Sequence, residues 1–371
     1  MRIAIVCDWL VLYGGAERVI EQMLAVFPEA DLLALFEFLP RDQRAFLGGR
    51  RVRTSFLQHM PGARKRYRQY LPLMPAAVAT IDVSRYDLVI SSSHAVAKGV
   101  RTKPDQLHLC MCYSPMRYAW DLRAQYLRET RLDSGFKGWL ANGMLDRMQA
   151  WDERTSRRVH GFIAISRYIA RRIQNAYGRE STVIYPPVDV DFFTPDGLRE
   201  EFYFTASRLV PYKRVDLIVE AFSAMPDRTL VVIGDGPEMT KVRSKASPNI
   251  RLLGHQPGAV LRDHLRRARG FVFAAEEDFG IAPLEAQACG TPVIGYGAGA
   301  LPETIVDITD RDPTGVFFRA QTVEAIVEAV RRFEAASPRI SREACRRNAM
   351  RFTAQRFREE FKAYVDRCVQ G

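Results

Sequence analysis

Gly270-Phe-Val-Phe-Ala-Ala-Glu-Glu-Asp-Phe-Gly-Ile-Ala-Pro-Leu-Glu285 is the stretch on which the fold turns. Its apolar start, Gly270 to Ala275, has the length and content of a buried strand, and the acidic residues after it break the run. Ala286-Gln-Ala-Cys-Gly290 and Thr291-Pro-Val-Ile294 follow, so the order reads strand, acidic turn, short helix, strand. Glu277 and Glu285 stand eight positions apart around Phe279-Gly280. A helix that opens near Gly280 leaves free backbone N–H groups beside Glu277 and carries Glu285 more than a turn inside it. Free donors, a dipole suited to phosphate and carboxylates that accept from sugar hydroxyls describe a nucleotide-sugar site.

Working outward, strand-like and helix-like segments alternate along the whole chain, which predicts parallel sheets with crossover helices. The first series of strands is Arg2–Cys7, Asp31–Phe36, Tyr86–Ser91, Gln106–Tyr113 and Gly161–Ile165, with a long helix over Phe136–Val159. Thr182-Val-Ile-Tyr-Pro-Pro-Val188 ends on two prolines, which continue neither a ladder nor a helix and mark a boundary. The second series is Phe202–Ser207, Thr229–Ile233, Ile250–Leu253, Gly270–Ala274, Thr291–Gly295 and Val316–Phe318, with helices over Asp216–Met225 and Thr322–Ala335. Ser341 to Cys368 reads as helical, with an apolar stripe of Phe352, Phe357, Phe361 and Tyr364 that packs onto a domain. The expected fold is α/β: two Rossmann-like doubly wound domains, 1–187 and 188–351, facing a cleft.

Ligands of such sheets collect at the carboxyl ends of the strands. Ser207-Arg208-Leu-Val-Pro-Tyr-Lys213-Arg214 follows the first strand of the second series and precedes a helix, which suits a diphosphate and the charge that builds on a departing nucleotide. Gly234-Asp-Gly-Pro237 repeats the position one strand later; ligand contact and a plain turn both fit it. Gly14-Gly15-Ala-Glu-Arg18 opens the first helix, where paired glycines let backbone approach an anion, although a simple turn has the same look. His94 lies just past another strand, in the position of either a ligand contact or a structural histidine. Asp189-Val-Asp191 has the spacing of a hard-cation site, but turn capping beside Pro186-Pro187 explains it. Metal ligands, a P-loop, a dinucleotide fingerprint and a nucleophile elbow are not recognised.

At 371 residues, 47% hydrophobic and 26% charged, the chain can bury two cores. Six scattered cysteines fit a reducing compartment, and Cys110 and Cys112 share one face of a strand as buried thiols. The start of the chain reads as a strand stopped by Asp8 rather than a signal peptide, and no run approaches a membrane span. The net charge of +11 is uneven: nine Lys/Arg stand between Arg41 and Arg68, among them Arg64, Lys65, Arg66 and Arg68, against one acid, Asp42. Apolar residues such as Phe56, Leu57, Tyr67, Leu73 and Met74 are interleaved. Segment 50–74 thus fits an anionic membrane surface or a diphosphate-bearing lipid; a solvated face is the plain alternative, and nucleic acid is disfavoured because no recognisable module accompanies the charge.

With these residues in place, the chain resembles the retaining glycosyltransferases of family 4, which have the GT-B fold. The match runs nearly its whole length, and it implies that the last helix, 352–371, crosses back onto the first domain. Its most specific part is Glu277 to Glu285 with the continuation to Ile294, and Gly14–Arg18, Ser207–Lys213 and Tyr185-Pro-Pro-Val-Asp189 match in order. Cys112-Tyr-Ser-Pro-Met-Arg-Tyr-Ala-Trp-Asp121 looks like a segment of the bacterial mannosyltransferase branch and puts Arg117 and Tyr118 on the acceptor side. The resemblance implies that Glu285 holds the ribose and Glu277 the donor sugar, with backbone at Phe279, Gly280 and Ile281 meeting sugar and phosphate. It puts Arg208 and Lys213 on the diphosphate, Gly14, Gly15 and Gly234 in the donor site, and His94 beside the transferred sugar. It further implies retaining, metal-independent transfer without a cofactor, from GDP-mannose, to a polyprenyl-diphosphate-linked saccharide of a bacterial surface polysaccharide, by a cytoplasmic enzyme peripheral on the inner membrane face. Another donor (a GDP-deoxysugar or a UDP-sugar), a same-fold epimerase or phosphorylase, and a non-enzymatic membrane or nucleic-acid binder are the alternatives.

Overall fold

As a computed structural model, the structure describes residues 1–120, 123, 127 and 134–370, the side chain of Phe136 excepted. Asp121, the end of the mannosyltransferase-like segment, and Gly371 lie outside the described residues. The chain forms two compact units: Met1–Pro187 with Phe357–Gly371, and Val188–Arg356.

The first unit holds seven parallel strands in the order β3-β2-β1-β4-β5-β6-β7. They are β1 Ile3–Leu10, β2 Asp31–Glu37, β3 Arg53–Thr54, β4 Leu88–Ser93, β5 Leu107–Cys112, β6 Gly161–Ala164 and β7 Ser181–Val183. β1, β2, β5 and β6 are apolar along most of their length because helices cover a parallel sheet on both faces. One boundary departs from the sequence reading, which stops the first strand at Cys7. β1 runs on through Asp8 to Leu10, because the Asp8 carboxylate, only 1% exposed, finds backbone N–H partners past β4 and so is not stranded in the core. Cys110 and Cys112 are buried free thiols.

The basic segment forms a chain of short turns around β3. Leu47, Leu57, Leu71 and Met74 turn into the core of the unit, while Arg64, Lys65, Arg66 and Arg68 are exposed together with Phe56 and Leu73. Most of the interleaved apolar residues are therefore spent on packing. Among the described residues, no helix is long and apolar enough to cross a membrane.

The second unit holds six parallel strands in the order β10-β9-β8-β11-β12-β13. They are β8 Phe202–Ala206, β9 Thr229–Ile233, β10 Ile250–Leu252, β11 Gly270–Phe273, β12 Val293–Tyr296 and β13 Gly315–Phe318. Tyr203, Phe222, Val272, Phe318 and Phe333 are central to its core. Asp189 Oδ1 accepts the Phe192 N–H at 2.9 Å, the turn-capping work expected of it.

The C-terminal helical stretch divides in two, Arg342–Ala349 and Ala354–Gln370. The expected aromatic stripe divides with it. Phe352 stays with the second unit, edge-on to Phe279 at 5.7 Å, while Phe357 and Phe361 are fully buried in the first, where Phe361 meets Phe27 at 6.1 Å. The Arg358 guanidinium donates to Gln22 Oε1 at 2.6 Å on the same face.

Candidate functional site

Each sheet has one place where the strand order reverses, between β8 and β11 in the second unit and between β1 and β4 in the first. Crevices open at the carboxyl ends of strands at such points. The chemistry-bearing residues gather at both.

At the β8/β11 point, Lys213 Nζ donates to Glu277 Oε1 in an ion pair whose members are 18% and 16% exposed. Lys213 also lies over the rings of Tyr212 and Phe273, at 5.3 and 5.5 Å. Arg214, at a left-handed φ of 52°, sets the turn before the helix Val215–Ser223, and its guanidinium reaches Gln321, which in turn donates to the Ala274 carbonyl at 2.7 Å. The chain holding Lys213 is thereby tied to the end of β11. Glu277 is fixed through its backbone: its carbonyl accepts the Ala300 N–H at 2.9 Å, and a β-bridge joins it to Gly299. The helix Ile281–Ala288 starts at Gly280, whose φ of 87° demands glycine, and it holds Glu285 in a buried position. Phe279 is buried, with its ring edge-on to Phe352.

Arg208, on the loop after β8, is exposed. Its loop is stitched to Gly234: the Leu209 N–H donates to the Asp235 carbonyl at 2.9 Å and the Glu238 N–H to the Leu209 carbonyl at 3.1 Å. A Cβ on Gly234 would stand 1.9 Å from the Ser207 carbonyl oxygen, so glycine there is a condition of the loop's path. Within this unit the structure brings Lys213 to Glu277 directly, sets Arg208, Gly234 and Gly280 on the turns after strands, and carries Ile281 and Glu285 on the helix that follows Gly280.

At the β1/β4 point, Gly14 precedes the helix Gly15–Val26, and its N–H donates to Glu17 Oε2 at 3.0 Å. The helix end expected to receive phosphate is thus capped by the chain's own carboxyl. Burial pushes the Glu17 carboxyl up to about 7. His94 follows β4; its Nδ1 lies 3.2 Å from Asp8 Oδ2, and its ring is edge-on to Trp9 at 4.5 Å. Arg117 and Tyr118 are half-buried after β5. Sequence reasoning missed Asp8, taken as a strand end, although a lone carboxylate beside an apolar run already needed a partner. It also missed Lys98 and Asp152, a buried ion pair just past His94.

The family pattern for Glycosyltransferase Family 4 matches residues 13–192, and that for Glycosyl transferases group 1 matches residues 192–352. The chain belongs to glycosyltransferase family 4. Among curated proteins, it is 34% identical to the GDP-mannose-dependent monoacylated alpha-(1-6)-phosphatidylinositol monomannoside mannosyltransferase of Corynebacterium glutamicum, over 39% of this chain and 46% of that protein. It is 31% identical to the GDP-mannose-dependent alpha-(1-6)-phosphatidylinositol monomannoside mannosyltransferase of Mycolicibacterium smegmatis, over 45% and 50%. The chain thus spans about half the length of the curated relatives it matches. In fold it is similar to Anabaena HepE in complex with UDP and glucose, with a TM-score of 0.68 at 17% identity and 99% of both chains covered. A sucrose-phosphate synthase from Thermosynechococcus elongatus gives 0.73, again at 17% identity, with both chains fully covered. These likenesses establish the two-domain Rossmann-like GT-B fold.

Proposed function

We propose that the protein is a retaining mannosyltransferase that moves mannose from GDP-mannose to a polyprenyl-diphosphate-linked saccharide in the synthesis of a bacterial surface polysaccharide. The observation that carries the transferase reading is the Lys213–Glu277 pair at the β8/β11 switch point, beside the opening of the Ile281–Ala288 helix. A carboxylate and an ammonium held together suit the two halves of a sugar diphosphate. Glu277 accepts from sugar hydroxyls, while Lys213 and the exposed Arg208 meet the phosphates. The N–H groups at Gly280 and Ile281 face the same anion, and Glu285 takes the ribose. Lys213 and Arg208 stabilise the charge on the departing nucleotide, work that a metal does in other enzymes, so neither metal nor cofactor is needed. The leaving phosphate then takes the acceptor's proton, and transfer proceeds on one face of the sugar. The GDP-mannose assignment is supported by the names of the two mannosyltransferase relatives.

In the first unit, His94 meets the transferred sugar, and Arg117 and Tyr118 serve the acceptor. Arg64, Lys65, Arg66 and Arg68, exposed beside Phe56 and Leu73, face an anionic membrane at the cytoplasmic side.

The test is incubation with a panel of GDP- and UDP-sugars and a short lipid-diphosphate saccharide, read by mass spectrometry. We expect consumption of GDP-mannose and a product heavier by one hexose. Consumption of a UDP-sugar instead overturns the donor assignment, and donor hydrolysis without product overturns the acceptor. Glu277→Ala and Lys213→Ala should each lower transfer by at least ~100-fold while melting like the wild type. Full activity in both would sink the transferase reading.

A further inference from the structure

We propose that Asp8 is the positioning residue for His94. It fixes the path of the loop and holds the proton of the neutral ring on Nδ1. The inference rests on the role given to His94 above, but its evidence is a separate constellation. Asp8 is 1% exposed on β1, at the strand-order switch point. Its Oδ2 accepts the N–H groups of His94 and Ala95 at 2.7 and 2.9 Å, and its Oδ1 those of Val96 and Ala97 at 2.6 and 2.7 Å. Four successive backbone donors converge on one carboxylate, at the short distances of charge-assisted bonds.

The same Oδ2 faces His94 Nδ1 at 3.2 Å. An ionised carboxylate only accepts, so the proton of a neutral imidazole belongs on Nδ1. Trp9 holds the ring edge-on, at 89°. The far end of the loop is locked independently: the Lys98 N–H donates to Ser93 Oγ at 3.3 Å, and Lys98 Nζ is paired with the buried Asp152. A loop fixed only for stability does not need its carboxylate turned onto the one imidazole it carries. A catalytic ring needs both its position and its tautomer fixed, and one carboxylate supplies both.

The experiment is a double-mutant cycle on the full chain, with the donor and acceptor that the wild type uses. His94→Ala should lower kcat by roughly 100-fold or more. Asp8→Asn should lower kcat at least ~10-fold, with the donor KM within about twofold, because an amide NH2 accepts neither the loop's N–H groups nor the ring proton and so misplaces the ring. The double variant should be no slower than His94→Ala within about threefold, since Asp8 acts only through the ring. Multiplying losses in the double variant, or wild-type kcat in Asp8→Asn, overturns the proposal while leaving His94 in its role. Wild-type kcat in His94→Ala overturns both. If Asp8→Asn does not fold, nitrogen NMR of the wild-type His94 ring decides: a proton on Nδ1 is expected, and a neutral ring protonated on Nε2 overturns the proposal.

Discussion

Replacing Lys98 by methionine tests whether the buried ion pair behind His94 holds the first unit together. Lys98 and Asp152 are 1% and 0% exposed. Asp152 Oδ2 also accepts from Trp120 Nε1 at 2.9 Å and from the Tyr177 hydroxyl at 2.7 Å. Burial opposes the charged form of Lys98, yet the adjacent carboxylate outweighs it and holds the ammonium above its ordinary range. That contribution is therefore complete at neutral pH and is lost only as the pH rises through the raised value. Breaking such a pair from one side costs ~3–5 kcal/mol, because the surviving charge stays buried. Lys98→Met should fall near ~3 kcal/mol, since Asp152 keeps two donors. Asp152→Asn should cost more, because Lys98 then keeps only the Ala95 carbonyl at 3.4 Å, the Tyr177 ring at 5.3 Å and a neutral amide. In a unit of about 200 residues, ~3 kcal/mol corresponds to a fall in Tm of roughly 6–12 °C. The double variant Lys98→Met/Asp152→Asn carries no buried charge and retains an acceptor for Trp120 and Tyr177, so it should recover to within ~2 kcal/mol of the wild type. Scanning calorimetry of the four proteins reads this directly. Additive losses in the double variant would refute the reasoning.

Glu17 provides a second pH dependence of the same sense, at lower pH. Its carboxyl sits near 7 in the folded chain against an ordinary 4.5, so the folded form binds the proton more tightly and stability falls as the pH rises from about 4.5 to 7. Glu17→Gln should therefore be more stable than the wild type at pH 8, by at most ~3 kcal/mol, and lose the advantage by pH 4 in matched melts. Gly234→Ala should weaken nucleoside-diphosphate binding by at least ~10-fold in calorimetry, because its Cβ would displace the Ser207 carbonyl and the loop that carries Arg208 and Lys213. Gly161→Ala would set a Cβ 2.3 Å from the Tyr364 hydroxyl, costing ~1–3 kcal/mol, and Tyr364→Phe in the same chain should restore part of that loss in thermal melts.

The alternation of apolar runs and amphipathic segments made both parallel sheets legible, because a strand buried on two faces cannot hide its composition. The acidic turn was legible for the same reason: Glu277 and Glu285 interrupt apolar sequence where no core tolerates them unpartnered. Distant partners were not legible. Nothing near Asp8 announces that its ligands are the amides of residues 94–97, and nothing near Lys98 announces Asp152. The basic segment misled in part, since interleaving alone does not tell which of Phe56, Leu57, Leu73 and Met74 turns inward. Leu57 and Met74 do, and Phe56 and Leu73 do not.

The division of the first unit between Met1–Pro187 and Phe357–Gly371 also bears on synthesis. The ribosome releases nearly all of that unit long before its last helix exists. Until then, the surface that receives Phe357, Phe361 and Val365, each fully buried in the finished fold, faces solvent. The whole second unit is translated during that interval. The nascent first unit thus carries an exposed apolar seam for about 170 residues of elongation, roughly ten to thirty seconds at ~5–20 residues per second. A chain stopped at Arg356 would keep that seam permanently, and a chaperone that covers apolar surface would find it there.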